Sequence, residues 1–361
     1  MISRNVFALN SSPQKDPNVI FHTDHCSQLL PLDIATSEEP HLLQLNKYQE
    51  SCNSYVTNQL MVFEDMPNSG VSAEKKGKAM SNRLKEFSEG SVTPIVIIEP
   101  SSEWGLIDFD EFNTGFYDDW ISKYFETIKN SGVTDNMMGT WVPFPEANLP
   151  YWNNQNATPN DFSHVVNRYL GILKQYFPQA KGSVLLNSAT YETTDFNWES
   201  GEYNSLIPYV KDINKEYVDS FGIQGFPWLP NAGGVGPGIF DAAEYLNFRL
   251  AIEAADTLEI KQIWFNTGTF SRKYTLDQES TVYVTAAKRK DLLDGILTEV
   301  ERVKDRGYEV SINIFAHNKS ALSEATDWSY LSSAEDIQAL ASFLTKAESN
   351  GIKVSLFDRS E

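Results

Sequence analysis

The feature that most constrains the fold of this chain is a repeated alternation of short apolar runs with longer amphipathic segments. Eight runs have the composition of β-strands and are followed by polar loops. They span residues 18–23, 59–65, 94–100, 137–144, 182–189, 220–226, 260–266 and 309–316. Strands that are almost continuously apolar are typical of a parallel sheet that helices cover on its faces.

The segments between these runs have the spacing of amphipathic helices. Residues 118–132 place apolar side chains three and four positions apart, and residues 161–177 and 287–307 repeat this spacing. Eight strand–helix units in 361 residues predict an α/β fold, a (β/α)8 TIM barrel, with an open doubly wound sheet as the alternative. Because no linker divides the chain, we predict one barrel domain over residues 59–361. Residues 1–58 are predicted to be an N-terminal segment that packs on the barrel and includes its first strand.

Charge and composition narrow the classes of partner. Hydrophobic residues make up 41% of the chain, enough for a large core, and the formal charge of −20 would repel nucleic acid and anionic membranes. No apolar run reaches about 18 residues, so no membrane span is predicted. The first residues lack the apolar segment of a signal peptide, which leaves a cytosolic protein or one whose leader was removed. Cys26 and Cys52 are compatible with one disulfide or with two buried thiols.

Polar or aromatic residues stand where the predicted strands end. They are Glu64, Asp65, Glu99, Glu146, Asn187, Trp228, Asn266, His317 and Asn318. The carboxyl ends of barrel strands are where active sites collect, so these residues are candidates for one mouth. Strand ends also run into loops, which are polar in any protein, so position alone does not establish a site.

Glu146 is the strongest catalytic candidate. It follows an apolar strand, stands between Pro145 and Pro150, and has Trp141 and Phe144 nearby in sequence. A carboxyl among aromatic rings would be partly desolvated, which raises its pKa and suits a general acid. The alternative is an exposed loop glutamate beside an ordinary aromatic cluster.

The distribution of aromatic residues favours a carbohydrate ligand. Sugar rings have apolar faces that stack on Trp and Tyr, and hydroxyls that need amide or carboxylate partners. The segment 150–161 mixes both kinds of side chain densely. The five histidines form no zinc-binding pair, and neither a phosphate-binding glycine motif nor a nucleophile elbow occurs. We therefore predict a polysaccharide or oligosaccharide partner and neither metal nor cofactor.

Several motifs, taken in order, resemble glycoside hydrolase family 26, which contains β-mannanases, β-glucanases and β-xylanases. The motifs are "TPIVIIEPSSEW", "GFYDDWISKYFETIKNSG", "PFPEANLPYW", "FGIQGFPW" and "FAHN" with a later "TDW". The resemblance runs from about Gln59 to Trp328. It implies an endo-acting β-glycoside hydrolase for a neutral polysaccharide, secreted or at the cell surface, with Glu146 as acid/base and Asn148 as a sugar-binding residue. The predicted substrate-binding residues are Glu99, Trp104, Asn148, Tyr151, Trp152, Trp228, Trp264 and Trp328.

The chain departs from that pattern around the reaction centre. Asn266 stands where the family has its nucleophilic glutamate at the end of strand seven, and Phe226 replaces the tyrosine that ends strand six. Pro145 replaces the histidine before the acid/base, Val142 replaces an arginine on strand four, and Ile98 replaces the tryptophan of Trp-Glu-Pro. An amide cannot attack an anomeric carbon as a carboxylate does, so residue 266 cannot support a standard double displacement.

Three interpretations follow from these departures. In the first, the chain is a hydrolase with altered machinery: either Glu99, Asp65 or Glu64 supplies the second carboxylate, or hydrolysis is substrate-assisted and Asn266 orients the acetamido group of an N-acetyl sugar. In the second, the chain is a non-catalytic carbohydrate-binding pseudo-glycosidase that kept the groove and lost turnover. The third, an engineered knockout, is disfavoured because Gln or Ala would be the more obvious replacement for the glutamate and Phe226 would need a separate explanation.

Overall fold

The computed structural model describes most of the chain between Gln59 and Phe357. The described ranges are 59–65, 71–90, 92–99, 101–102, 105–106, 109–148, 158–188, 205–227, 242–269, 273–275, 281–315, 318–319, 326–327, 330 and 333–357. The predictions for residues 1–58, including the cysteine pair and the run at 18–23, fall outside these ranges and stay predictions.

In the described part of the chain, eight parallel strands form the central sheet. They are β1 (Gln59–Asp65), β2 (Thr93–Glu99), β3 (Thr140–Pro143), β4 (Lys181–Asn187), β5 (Ser220–Gly225), β6 (Gln262–Thr267), β7 (Glu309–Phe315) and β8 (Lys353–Phe357). Each strand pairs with the next along the chain, so the order in the sheet is the order in the sequence. The sheet curls until β1 and β8 come within 8 Å of each other. This topology confirms the predicted (β/α)8 barrel.

Helices connect the strands and cover the outside of the sheet. They are α1 (Ala73–Glu89), α2 (Phe109–Thr114), α3 (Asp118–Asn130), α4 (Asp135–Met138), α5 (Pro159–Tyr176), α6 (Ile207–Val210), α7 (Ala242–Leu246), α8 (Phe248–Leu258), α9 (Ala286–Lys304) and α10 (Ala334–Ser349). A 3-10 turn spans Lys215–Tyr217, and short strand pairs join Ser101–Ser102 to Gly105–Leu106, Lys273–Thr275 to Thr281–Tyr283, and Asn318–Lys319 to Thr326–Asp327. The three helices predicted from apolar spacing are confirmed as α3, α5 and α9. None of the helices in the described ranges is long and apolar enough to cross a bilayer.

Four of the longer helices begin at a side-chain cap. A Ser or Thr hydroxyl at the N-cap accepts a hydrogen bond from the third residue beyond it, which satisfies a backbone N–H that the helix leaves unpaired. The capping residues are Ser72 for α1, Thr158 for α5, Thr285 for α9 and Ser333 for α10. These caps fix where each helix starts at the edge of the sheet that carries the strand ends.

Two apolar cores lie on the two faces of the sheet. Successive strand residues point to opposite faces, so alternate positions enter different cores. The larger core lies between sheet and helices, and the smaller one fills the barrel interior. The inner core comprises Met61, Ile95, Ile97, Val142, Leu185 and Trp264, with Phe226 packed against it. These residues identify which positions of each strand face the lumen.

One strand of the described sheet was missing from the prediction. Seven of the eight predicted runs match β1 to β7, and β8 at Lys353–Phe357 was not predicted. Glu146 follows β3 and Asn266 lies on β6, three strands apart.

Candidate active site

Glu146 lies in a strained turn directly after β3. Phe144 and Glu146 have positive φ angles of 52° and 57°, a conformation that residues other than glycine rarely adopt. The turn is tied to both flanking strands, because Phe144 N–H donates to the carbonyl of Ile98 and Glu146 N–H donates to that of Leu185, each at 2.8 Å. Backbone strain of this kind is found where a structure must place a side chain in one position. Here it sets the half-buried side chain of Glu146 at the carboxyl ends of the strands.

A buried asparagine, Asn187, holds the Glu146 carboxylate, and a second one, Asn148, holds Asn187. Asn187 Nδ2, at the end of β4, donates to Glu146 Oε1 at 2.6 Å. Asn148 then fixes Asn187, because Asn148 Nδ2 donates to Asn187 O at 2.8 Å and Asn187 N–H donates to Asn148 Oδ1 at 2.9 Å. The Asn148 side chain thus pairs with the backbone of β4 as a neighbouring strand would. The sugar-binding role predicted for Asn148 stays a prediction, and the structure gives it a positioning role.

A row of amides continues around the mouth from Asn187. Gln224 pairs in register with Asn187 on one side and Asn266 on the other, and Asn313 pairs with Asn266. These residues have the same alternation as Trp264, so they face the lumen. Asn266 Nδ2 donates to Gln224 Oε1 at 2.5 Å. The proposed nucleophile position therefore belongs to a network of uncharged amides.

Trp264 closes the barrel interior below this row. Its side chain is only 4% exposed, and Nε1 donates to Ser183 Oγ at 2.9 Å. The indole lies directly over Gly222, where an added Cβ would stand 2.4 Å from the ring. Because residue 222 is glycine and has no side chain, there is room for the ring. Trp264 was predicted to bind substrate, but the structure places it in the inner core, where its ring faces are covered.

The carboxylates at the strand ends point in different directions. Glu99 ends β2 at a lumen-facing position and is half-buried. Glu64 was a candidate for the same mouth, and this was wrong: its carboxylate contacts Lys76 at 2.9 Å and Arg83 at 3.7 Å, both on α1. The reason is the alternation of β1, in which position 64 shares the outer face with Val62. The side chain of Asp65 lies outside the described residues.

Electrostatics of the outer core agree with the outward position of Glu64. Burial raises the pKa of the Tyr124 and Tyr169 hydroxyls, and the nearby charge of Glu64 raises them further. Both rings belong to the core between sheet and helices. Glu64 therefore acts on the helix side of the sheet.

The aromatic surround expected for Glu146 is only partly where the sequence placed it. Trp141 and Phe144 are fully buried in the outer core, and Trp141 Nε1 donates to Met138 O at 2.9 Å. They pack on the helix side of the sheet, beneath the turn, and do not line the mouth. Five predicted substrate-binding aromatics lie outside the described residues. These are Trp104, Tyr151, Trp152, Trp228 and Trp328.

Sequence reasoning gave no role to Gln224 or Asn313, because Gln224 stands inside the motif "FGIQGFPW" without a role of its own and Asn313 stands inside an apolar run. Side chains alternate along a strand, so counting in steps of two from a lumen-facing residue would place both side chains in the lumen. To know that they lie at the same level as Asn187 and Asn266, one also needs the pairing between strands, which the sequence does not give.

In the described part of the chain, no group of three or more His, Cys, Asp or Glu is placed to hold a metal ion.

Comparison with known proteins supports the fold. No protein-family model and no curated protein sequence matches the chain. A solved structure of the family 1 β-glucosidase from Thermotoga maritima in complex with isofagomine lactam is similar, with 10% identity and a TM-score of 0.50 over 79% of this chain and 83% of that chain. The same organism's β-glucosidase in complex with castanospermine has 10% identity and a TM-score of 0.49 over 76% and 78%. At this identity the first likeness shows the barrel fold alone, and the resemblance to family 26 rests on the motifs alone.

Proposed function

We propose that the chain is a β-glycoside hydrolase with altered catalytic machinery, endo-acting on a neutral polysaccharide, with Glu146 as acid/base. The observation that carries the proposal is the placement of Glu146. A strained turn sets its carboxylate at the barrel mouth, and Asn187 holds it at 2.6 Å. A catalytic acid must be held in one orientation toward the glycosidic oxygen, and this support provides that orientation.

The second catalytic group is not residue 266. An amide has no negative charge with which to attack C1, and the Nδ2 of Asn266 is bonded to Gln224. Glu99 is the lumen-facing carboxylate on β2, the strand next to β3. Neighbouring strands are about 4.8 Å apart, so carboxyls from β2 and the β3 turn can flank one bond. We assign Glu99 the role of nucleophile or base.

A specific observation also favours a non-catalytic carbohydrate-binding protein. The mouth residues of β4 to β7 are the uncharged amides Asn187, Gln224, Asn266 and Asn313. Amides bind sugar hydroxyls well and perform no acid–base chemistry. Under this second candidate, Glu146 is a hydrogen-bond acceptor for the ligand and not a proton donor.

The test combines hydrolysis and binding on one panel of soluble mannans, glucans, xylans and N-acetylated glycans. Release of reducing ends and calorimetric binding are measured for wild type, Glu146→Gln and Glu99→Gln. Glu64→Gln is the matched control, because it makes the same change at a strand end that faces α1. We expect hydrolysis by wild type and by the control. In the variants Glu146→Gln and Glu99→Gln we expect the rate of hydrolysis to fall by about 10²-fold or more.

The outcomes separate the two candidates. Binding by wild type without hydrolysis supports the binding protein. In that case Asn266→Glu is expected to create hydrolysis that Glu146→Gln cancels, since a new nucleophile works only beside an intact acid. Equal hydrolysis by wild type and Glu146→Gln would contradict the catalytic role, and absence of both binding and hydrolysis would contradict a carbohydrate ligand.

A further inference from the structure

Two neighbouring amides in the mouth contain buried atoms without a hydrogen-bond partner. Asn266 is 3% exposed and Asn313 is 1% exposed. The Oδ1 of Asn266 and both side-chain polar atoms of Asn313 are buried and unpaired among the described residues. Because the two residues pair in register on the neighbouring strands β6 and β7, their side chains leave the sheet on the lumen side at the same level.

Such atoms indicate a missing polar group. A buried amide atom without a partner costs about 1–3 kcal/mol, so most native structures satisfy it with protein, water or ligand. Asn266 Nδ2 is committed to Gln224, which leaves its Oδ1 as a fixed acceptor. Asn313 offers both a donor and an acceptor. A ligand group that satisfies these atoms must therefore present at least one N–H or O–H and one acceptor oxygen. It needs no formal charge, because the amides around it are uncharged.

We propose that Asn266 and Asn313 form a subsite for the acetamido group of an N-acetylated β-linked sugar. This inference rests on the proposed function, and it names the substrate class of the same mouth. A secondary amide has one N–H and one C=O that point in opposite directions. Its N–H can donate to Asn266 Oδ1 while its oxygen accepts from Asn313 Nδ2, so that it bridges the two strands as one more member of an amide ladder.

Apolar surface above the row selects an acetamido group over a hydroxyl. Phe226 lies one level above Gln224 and is only partly buried where it packs against the inner core. An acetamido methyl can be buried against this ring, at a gain of roughly 0.8 kcal/mol per buried carbon. A sugar hydroxyl in the same place can also donate one hydrogen bond and accept one, but it has no carbon to bury there.

The experiment compares two ligand series that differ only at C2. N-acetylchito-oligosaccharides and cello-oligosaccharides share the β-1,4-linked glucose backbone, and the first series has an acetamido group where the second has a hydroxyl. Dissociation constants are measured by calorimetry for wild type, Asn313→Leu and Asn313→Asp. Thr267→Val is the matched control, because Thr267 lies next to Asn266 on β6 but faces the outer core and donates to Gly225 O.

Wild type and Thr267→Val are expected to bind the acetylated series about tenfold tighter, and both Asn313 variants are expected to lose that preference. The stability of the Asn313 variants distinguishes a binding role of Asn313 from a structural one. Removal of an unpaired buried amide should leave the urea midpoint of Asn313→Leu equal to or above that of wild type. Asn313→Asp keeps the shape of the side chain and removes its donor, so it reports on binding even where the leucine variant fails to fold.

Each other outcome overturns a stated part of the account. Equal affinity for the two series would overturn the acetamido subsite and leave the proposed function standing. A preference that survives in both Asn313 variants would place the acetamido group elsewhere and overturn the assignment to this row. Failure of wild type to bind either series, together with the rest of the glycan panel, would overturn the proposed function itself.

Discussion

A buried ion pair at the edge of the mouth provides a quantitative test of the structure. Arg289 on α9 contacts Asp336 on α10 at 3.1 Å, and the two side chains are 0% and 2% exposed. Arg289 Nε also donates to Thr269 Oγ1 at 3.1 Å, and its guanidinium lies 4.2 Å from the centre of the Tyr330 ring. Thr269 is three residues beyond Asn266, so this network fixes the loop that leaves the amide row.

Asp336→Ala is expected to lower the free energy of unfolding by about 4–6 kcal/mol. Loss of one partner from a buried ion pair costs about 3–5 kcal/mol, because the other charge stays buried. The Asp336 carboxylate also accepts a hydrogen bond from Ser333 Oγ at 2.9 Å, which contributes about 1 kcal/mol more. The double variant Arg289→Met, Asp336→Leu should recover most of the loss, since buried pairs can be replaced by apolar residues of similar volume.

Urea unfolding followed by circular dichroism gives these free energies from the midpoint and slope. Lys290→Met is the matched control, because Lys290 lies beside Arg289 on α9 and its pair with Asp294, at 2.7 Å, is exposed. The control is expected to cost less than about 1 kcal/mol. A loss of unfolding free energy below about 1 kcal/mol for Asp336→Ala would refute the reasoning. So would a double variant whose loss is as large as the summed losses of Arg289→Met and Asp336→Leu measured separately.

Two further predictions concern other parts of the barrel. Gly222→Ala should destabilise the protein by about 1–3 kcal/mol and alter the near-ultraviolet circular dichroism of Trp264, because the new methyl overlaps the ring; an unchanged spectrum and midpoint would place the indole elsewhere. Burial and a hydrogen bond to Asp256 raise the pKa of Tyr308 to about 12. The unfolded chain ionises this tyrosine near pH 10 and the folded chain near pH 12, so its contribution to stability is lost as pH rises through that interval. Tyr308→Phe should therefore lose less stability than wild type between pH 9 and pH 11 in urea unfolding, and equal losses would contradict the raised pKa.

Much of the barrel could be predicted because its strands and helices have distinct periods. Buried parallel strands read as continuous apolar runs, and the helices show apolar residues three and four positions apart, as in α3 and α5. The strand β8 was missed because "KVSLF" alternates polar and apolar residues over only five positions. Nothing in the sequence alone marks it as a member of the central sheet.

The site was less predictable because it depends on the direction of side chains. Val142 faces the lumen, and Phe144, two positions on, would be expected to do the same. The positive φ at Phe144 breaks the alternation, and the ring turns into the outer core. Glu146 could be named from its motif, whereas its contact with Asn187 depends on a turn that no sequence period reports.

The measurement that most directly tests the role of Glu146 is the dependence of hydrolysis on the leaving group. The ratio kcat/KM is determined for wild type, Glu146→Gln and the Glu64→Gln control on aryl β-glycosides whose phenols span a range of pKa. A proton donor matters little for a dinitrophenolate and greatly for a poor leaving group. We predict that the loss of kcat/KM in Glu146→Gln rises from nearly none to about 10²- to 10⁴-fold as the phenol becomes less acidic, with no trend in the control. The same loss on every substrate would show that Glu146 supports the shape of the mouth and gives no proton to the leaving group, which would contradict the central claim.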